Sequence, residues 1–143
     1  MWIVVDTNVF LDLLLDRGHF ADEASLFFTN CYKNNHRVLL TSISIRDIGY
    51  IAHQVFHNEK DAKKIQMSAY QLCTKVISIT NDDAIESLYS DMKDYEYSLI
   101  VEAAKREMAD LIVTNNRKDF ANANFPVTTP KDFNEATKFL QNK

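Results

Sequence analysis

The segment Trp2-Ile3-Val4-Val5-Asp6-Thr7-Asn8 decides how this chain is read. Four apolar residues run without a polar break, three of them β-branched, and stop at an aspartate. A short continuous apolar run of this kind reads as a strand covered on both faces, the pattern of a parallel sheet. From Thr7 to Asp16 the periodicity becomes helical, with Gly18 placed to end the helix. A strand that passes directly into a helix, with an acid at the joint, opens a βα unit. In such sheets ligands bind beyond the carboxyl ends of the strands.

The pattern repeats outward from that unit. Phe20, Ala24, Phe27, Phe28 and Cys31 recur at helical spacing, and Arg37–Thr41 is strand-like. Ile45, Ile48, Gly49, Ala52 and Phe56 mark a third helix, and Ala62, Ile65, Ala69, Leu72 and Cys73 a fourth, with Asn58 as its cap. Val76–Ile79 is a third strand, after which Thr80 and Asp83 form a capping box for a helix carrying Ile85, Leu88, Tyr89 and Met92. Asp94 caps the next helix, whose inward stripe is Tyr97, Ile100, Val101, Ala104 and Met108. It leads to a fourth strand, Leu111–Thr114. Val127 and Thr128 add a short edge strand, and Thr129-Pro130 opens a last helix with Phe133, Ala136 and Leu140 inside. Strands separated by helices imply right-handed crossovers and a parallel sheet covered on both faces, with the first and fourth strands as central neighbours.

Bulk properties narrow the function. A length of 143 residues with 46% hydrophobic content suits one domain spanning 1–143 around one core. No stretch reaches the ~18 apolar residues of a membrane span, and no basic segment precedes a long apolar one at the N-terminus, so the expected location is the cytoplasm. Cys31 and Cys73 lie on apolar stripes and read as reduced core thiols. The net charge of −4 lacks the basic footprint of a protein that wraps duplex DNA. An acidic cluster that recruits Mg²⁺ contributes to such a total, however. Gly18 and Gly49 are the only glycines, which excludes the phosphate-cradling loops of P-loop and Rossmann sites. His19, His36, His53 and His57 show no zinc-ligand spacing, and no G-x-S-x-G elbow is present.

What remains is acidic. Asp6 and Asn8 put two oxygen-bearing side chains at the ligand-binding rim. Asp6 reads equally as a helix N-cap, and a carboxylate with two oxygens can cap and ligate together. Asp47 lies at the start of the third helix, where Ser44-Ile45-Arg46-Asp47 also has capping-box spacing. Arg46 beside it reads as a phosphate contact or as an exposed solvated charge. Asp119 belongs to Thr114-Asn115-Asn116-Arg117-Lys118-Asp119-Phe120, a turn-rich segment expected beside Asp6. Arg117 and Lys118 there add positive charge suited to a phosphodiester.

Two stretches together resemble the PIN domain. They are Val4-Val5-Asp6-Thr7-Asn8-Val9-Phe10-Leu11-Asp12 and Ala109-Asp110-Leu111-Ile112-Val113-Thr114-Asn115-Asn116-Arg117-Lys118-Asp119-Phe120, and the likeness extends through Phe125–Phe133. The resemblance implies a three-layer α/β/α sandwich and a Mg²⁺- or Mn²⁺-dependent endoribonuclease, often the toxin of a bacterial toxin–antitoxin pair and often dimeric. It makes Asp6, Asp47 and Asp119 the metal ligands, with Asn8 and Asn116 in support. RNA is then the expected substrate and an antitoxin protein the expected partner. The family commonly has a D-F-E-D-like segment opening the penultimate long helix, whereas this chain reads Asp94-Tyr95-Glu96-Tyr97, with Tyr97 where a metal-binding aspartate is expected. Glu96, about 100° around the helix with a longer side chain, and Asp94, a turn earlier, are the acids left to substitute. The alternative reading is a PIN-like module that binds an antitoxin or RNA without cutting. A phosphoryl-transfer enzyme of the haloacid dehalogenase type also begins with a strand and an aspartate, but the second acid of D-x-D-x-T is Asn8 here.

Overall fold

Successive residues of the central strands point to opposite faces, and each face has its own core. Ile3, Val5, Val38, Leu40 and Val113 pack on one side with Phe10, Phe27 and Ile48. Val4, Leu39, Ile77 and Ile112 pack on the other with Ile100, Val101, Ala104 and Phe120. This is why the strands read as unbroken apolar runs instead of alternating ones.

The computed structural model describes residues 1–142. Among the described residues there are five parallel strands: β1 (Trp2–Val5), β2 (Arg37–Thr41), β3 (Lys75–Ile77), β4 (Leu111–Val113) and β5 (Val127–Thr128). Seven α-helices accompany them: α1 (Thr7–Leu14), α2 (His19–Lys33), α3 (Ser42–Phe56), α4 (Glu59–Leu72), α5 (Asn81–Leu88), α6 (Tyr95–Arg106) and α7 (Pro130–Gln141), with a 3-10 turn at Arg117–Phe120. The core residues of α1 to α4 and α7 belong to the first face and those of α6 to the second, which makes the three-layer α/β/α sandwich expected from sequence. No described helix is long and apolar enough to cross a membrane.

The strand order is β3-β2-β1-β4-β5, so β1 and β4 are central neighbours as expected. The chain builds outward from β1 through β2 to β3, then returns past β1 to β4. The reversal lies between β1 and β4, and such a switch point opens a crevice at the carboxyl ends of its two strands. Val5 pairs with Val113, which places Asp6 and Thr114 side by side at that crevice.

Several local expectations are corrected. Helix α1 ends at Leu14, and Gly18 (φ 61°) is the residue before α2, so the glycine starts the next helix and does not stop the first. In α7 only Phe133 of the three expected inward residues is buried. The inward stripe is Pro130, Phe133 and Asn134 because the Asn134 side chain hydrogen-bonds Asn30 at 3.0 Å, which turns a polar position toward α2. Leu88, Tyr89 and Met108 are exposed, since α5 stops at Leu88 and Met108 turns back with φ 57° after α6. Both cysteines are free, Cys31 buried and Cys73 partly so.

Candidate active-site cleft

Asp6 is the first residue beyond β1. Its backbone N–H continues the sheet by donating to the Val113 carbonyl at 2.9 Å. It precedes α1 in extended conformation (φ −66°, ψ 148°), yet its side chain makes no capping hydrogen bond. The carboxylate instead accepts from the Thr114 hydroxyl at 2.8 Å, and Thr114 Oγ1 accepts from the Asn116 backbone N–H at 3.0 Å. Thr114 thereby fixes the Asp6 rotamer from the neighbouring strand. Asp6 is only 3% exposed. Burial pushes its carboxyl up to about 6, against the hydrogen bonds from Thr114 and the Thr7 amide, and the negative charges of Asp119 and Asp12 push the same way.

A cleft of about 270 Å³ opens over this residue, with Asp6, Asn8, Asp47, Tyr50, Glu96 and Tyr97 on its walls. Asp47 reaches it from α3. The helix is capped by Thr41, whose hydroxyl accepts from the Ser44 N–H at 3.2 Å, so the Ser44–Asp47 capping box suggested by spacing does not form. Burial raises the Asp47 carboxyl, and Arg46, 3.5 Å away, works against it. Glu96 and Tyr97 come from the first turn of α6, which Asp94 caps by accepting from the Tyr97 N–H at 3.2 Å.

Tyr97 is held on two sides. Its ring meets Phe120 edge-on, with centroids 4.9 Å apart, and the Asn116 side chain acts on its hydroxyl. Burial, then the charges of Asp6 and Asp119, push the phenol up to about 12, so it remains a neutral O–H donor at any ordinary pH. Asp119 sits in the 3-10 turn after β4; it acts on Asp6 and Tyr97 through its charge and is absent from the cleft wall. Among the described residues no group of three His, Cys, Asp or Glu side chains is arranged to hold a metal ion on its own.

The basic candidates separate. Arg46 is exposed beside Asp47. Arg117 forms an exposed ion pair with Asp132 at 3.6 Å, and Lys118 is exposed in the same turn. Sequence reasoning assigned no role to Asp12, Thr114 or Asn115. Asp12 is 5% exposed and accepts from Asn115 Nδ2 at 2.8 Å, while Arg17 reaches both Asp12 (3.5 Å) and Asn8 (3.4 Å). Its i, i+4 relation to Asn8 on α1 was the available signal, since such residues share a helix face.

Comparison with known proteins bears on the fold and the family. No curated protein matches the chain in sequence. Among solved structures, VapBC2 from Rickettsia felis bound to a DNA fragment from its promoter is similar over 90% of this chain and 98% of that one, with a TM-score of 0.65 and 15% identity. A toxin–antitoxin complex from Klebsiella pneumoniae is similar over 90% and 97%, with a TM-score of 0.63 and 23% identity. FitAB bound to an IR36 DNA fragment is similar over 90% and 94%, with a TM-score of 0.68 and 15% identity. At these identities the likeness is one of fold. The sequence pattern of the PIN domain matches residues 2–118, most of the chain, and this protein belongs to the PIN domain family.

Proposed function

We propose that this protein is a divalent-metal-dependent endoribonuclease, the toxin of a toxin–antitoxin pair, working where RNA is, in the cytoplasm. The observation that carries the reading is Asp6: a buried carboxyl at the β1/β4 switch point, facing a cleft that Asp47 and Glu96 also line, and charged at neutral pH despite its burial. A cation in the cleft relieves that cost. The donor set fits a hydrated hard ion, because Mg²⁺ keeps several waters and is typically held by one or two carboxylates plus substrate phosphate, not by an all-protein cage.

Asp6 and Asp47 would hold Mg²⁺ or Mn²⁺, with Asp119 adding negative charge behind Asp6. The bound ion supplies Lewis acidity toward the phosphodiester. The remaining steps belong to the chain. Thr114 keeps Asp6 oriented, and Asn8 lines the floor beside it. Glu96, at the mouth, is the carboxylate available to accept a proton from the attacking water. Asn116 and Asp94 position Tyr97 on the cleft wall. Arg46, Arg117 and Lys118 are the exposed cations that would meet the strand. Support for a protein partner comes from the similar structures, described as toxin–antitoxin or VapBC and FitAB complexes.

The test is Mn²⁺-dependent cleavage of a broad RNA panel. Cleavage that disappears in Asp6→Ala is expected; no cleavage of any RNA refutes the reading. One observation favours a second reading, a module that binds without cutting: a neutral phenol stands at the cleft wall beside Glu96, and among the described residues no three acids are arranged to chelate. That version predicts that Tyr97→Asp creates metal affinity that the natural chain lacks, and an unchanged calorimetric titration counts against it.

A further inference from the structure

Beside the acidic cleft, a second groove runs between α3 and α4. Tyr50 lines both hollows and is 65% exposed, so its ring forms the ridge between them. The groove side carries Arg46 from α3 and Lys63 from α4, both exposed, with His53 beside them; Glu59 is the carboxylate on its wall, and Arg46 also pairs with Asp47 at 3.5 Å. In a chain of net charge −4, two exposed cations thus stand beside the acidic cleft.

The close approach of the two helices is built in. Gly49, one of only two glycines, sits inside α3, where glycine is a poor choice for helix stability. A Cβ there would collide with the Gln66 amide, which lies over Gly49 and donates to the Ile45 carbonyl at 3.0 Å. The Gln66 amide thus lies across Gly49 on the groove floor, tied back to α3 through Ile45.

An exposed aromatic ring flanked by cations beside a phosphodiester site is the arrangement that takes single-stranded nucleic acid. Every base offers a face to stack, and the cations follow the backbone. We propose that the α3–α4 groove is a nucleotide subsite: single-stranded RNA leaving the acidic cleft stacks a base on Tyr50 and lays the next phosphates against Arg46 and Lys63. The proposal rests on the RNA-directed reading of the cleft and adds to it the path of the strand over Tyr50 and the α3–α4 groove.

The test is fluorescence anisotropy with a 5′-fluorescein-labelled single-stranded hexauridylate. The full chain carries Asp6→Asn to prevent cleavage, and Mg²⁺ is present throughout. In that background Tyr50→Ala is expected to weaken binding roughly tenfold, while Tyr50→Phe, which keeps the stacking face, stays within about twofold. Arg46→Ala with Lys63→Ala should weaken binding similarly and lower the salt slope by about 1.4, the value for two phosphate contacts on a single strand. Lys33→Ala, near the amino end of β2, should change nothing. Tyr50 is exposed, so its variants are expected to fold, and circular dichroism verifies that.

Parental affinity in Tyr50→Ala and in the double variant overturns the subsite, as does a loss equally large in Lys33→Ala or a parent that binds no RNA. If the variants lose a protein partner but keep RNA, the groove belongs to that partner and the proposal fails. The two readings fail separately. Groove-dependent binding without cleavage by the chain with Asp6 intact sinks the nuclease alone; cleavage with groove-independent binding sinks the subsite alone.

Discussion

Two buried aspartates in this molecule have opposite characters. Asp6 and Asp83 are each 3% exposed. Burial would raise Asp83, but the Arg106 guanidinium, 3.1 Å from both carboxylate oxygens, and Thr80, whose backbone N–H donates to it at 3.0 Å, outweigh that and hold it below the usual carboxylate range. Asp6 has the Thr114 hydroxyl as its side-chain donor and two negative neighbours, and its carboxyl is pushed up to about 6. The charge on Asp83 is neutralised inside the fold, where it fastens α5 to α6. The charge on Asp6 has no cation beside it among the causes that set its value, and the proposed function gives it a bound metal ion. Removing the partner of a buried acid destabilises the chain, and a buried acid without a counter-charge is a candidate for a functional site.

The largest consequence falls on activity. Asp6→Asn should reduce Mn²⁺-dependent RNA cleavage by more than about a hundredfold, since a carboxylate that holds the ion is replaced by a neutral amide. Asp83→Asn, measured in the same assay at a temperature where it is folded, should leave cleavage within about twofold. Equal losses would break the contrast.

Stability should respond with the opposite ranking. Asp83→Ala removes a capping box and a partly buried ion pair and is expected to cost about 2–3 kcal/mol in urea unfolding. Asp6→Asn, free of metal at pH 7, should stabilise by up to about 3 kcal/mol, the equivalent of the displacement of its carboxyl from 3.8 to about 6. A destabilised Asp6→Asn would mean that the carboxylate is already satisfied.

The pH dependence follows with its sign. Asp6 titrates near 3.8 when unfolded and about 6 when folded, so the folded chain binds more protons between those values. Its contribution to stability is therefore present below 3.8 and lost as pH rises to about 6. Asp83, held low, contributes stability above its unfolded value that is lost as pH falls through its folded one. Subtracting the unfolding curve of Asp6→Asn from that of the natural chain isolates the first effect, and a flat difference from pH 4 to 6 would contradict it.

Much of this was readable from the chain, and the failures share a cause. The apolar runs at Trp2–Val5 and Leu111–Val113 identified the two central strands, and that alone brought Asp6 beside Thr114. Asp94 and Asn58 were recognised as caps because capping is local chemistry. Asp47 was ambiguous for the same reason: Ser44–Asp47 has the right spacing, but the end of β2 at Thr41 set the helix start three residues earlier. Asn134 hid the inward stripe of α7 because its partner, Asn30, is 104 residues away. Thr114 read as an ordinary strand residue, since nothing near it in sequence shows that its hydroxyl meets Asp6.

The smallest expected effect concerns Tyr97. Tyr97→Phe removes the hydroxyl that Asn116 meets and should cost only about 0.5–1.5 kcal/mol of stability, with the ring contact to Phe120 kept. A far larger loss would show that the phenol is a structural member of the cleft wall.

The most direct measurement of the central claim is a calorimetric Mn²⁺ titration of the natural chain at pH 7 and pH 5, with Asp6→Asn alongside. With a carboxyl that ionises at about 6, affinity should fall roughly tenfold between the two pH values, and binding should vanish in Asp6→Asn. Equal Mn²⁺ affinity in the natural chain and in Asp6→Asn would contradict it.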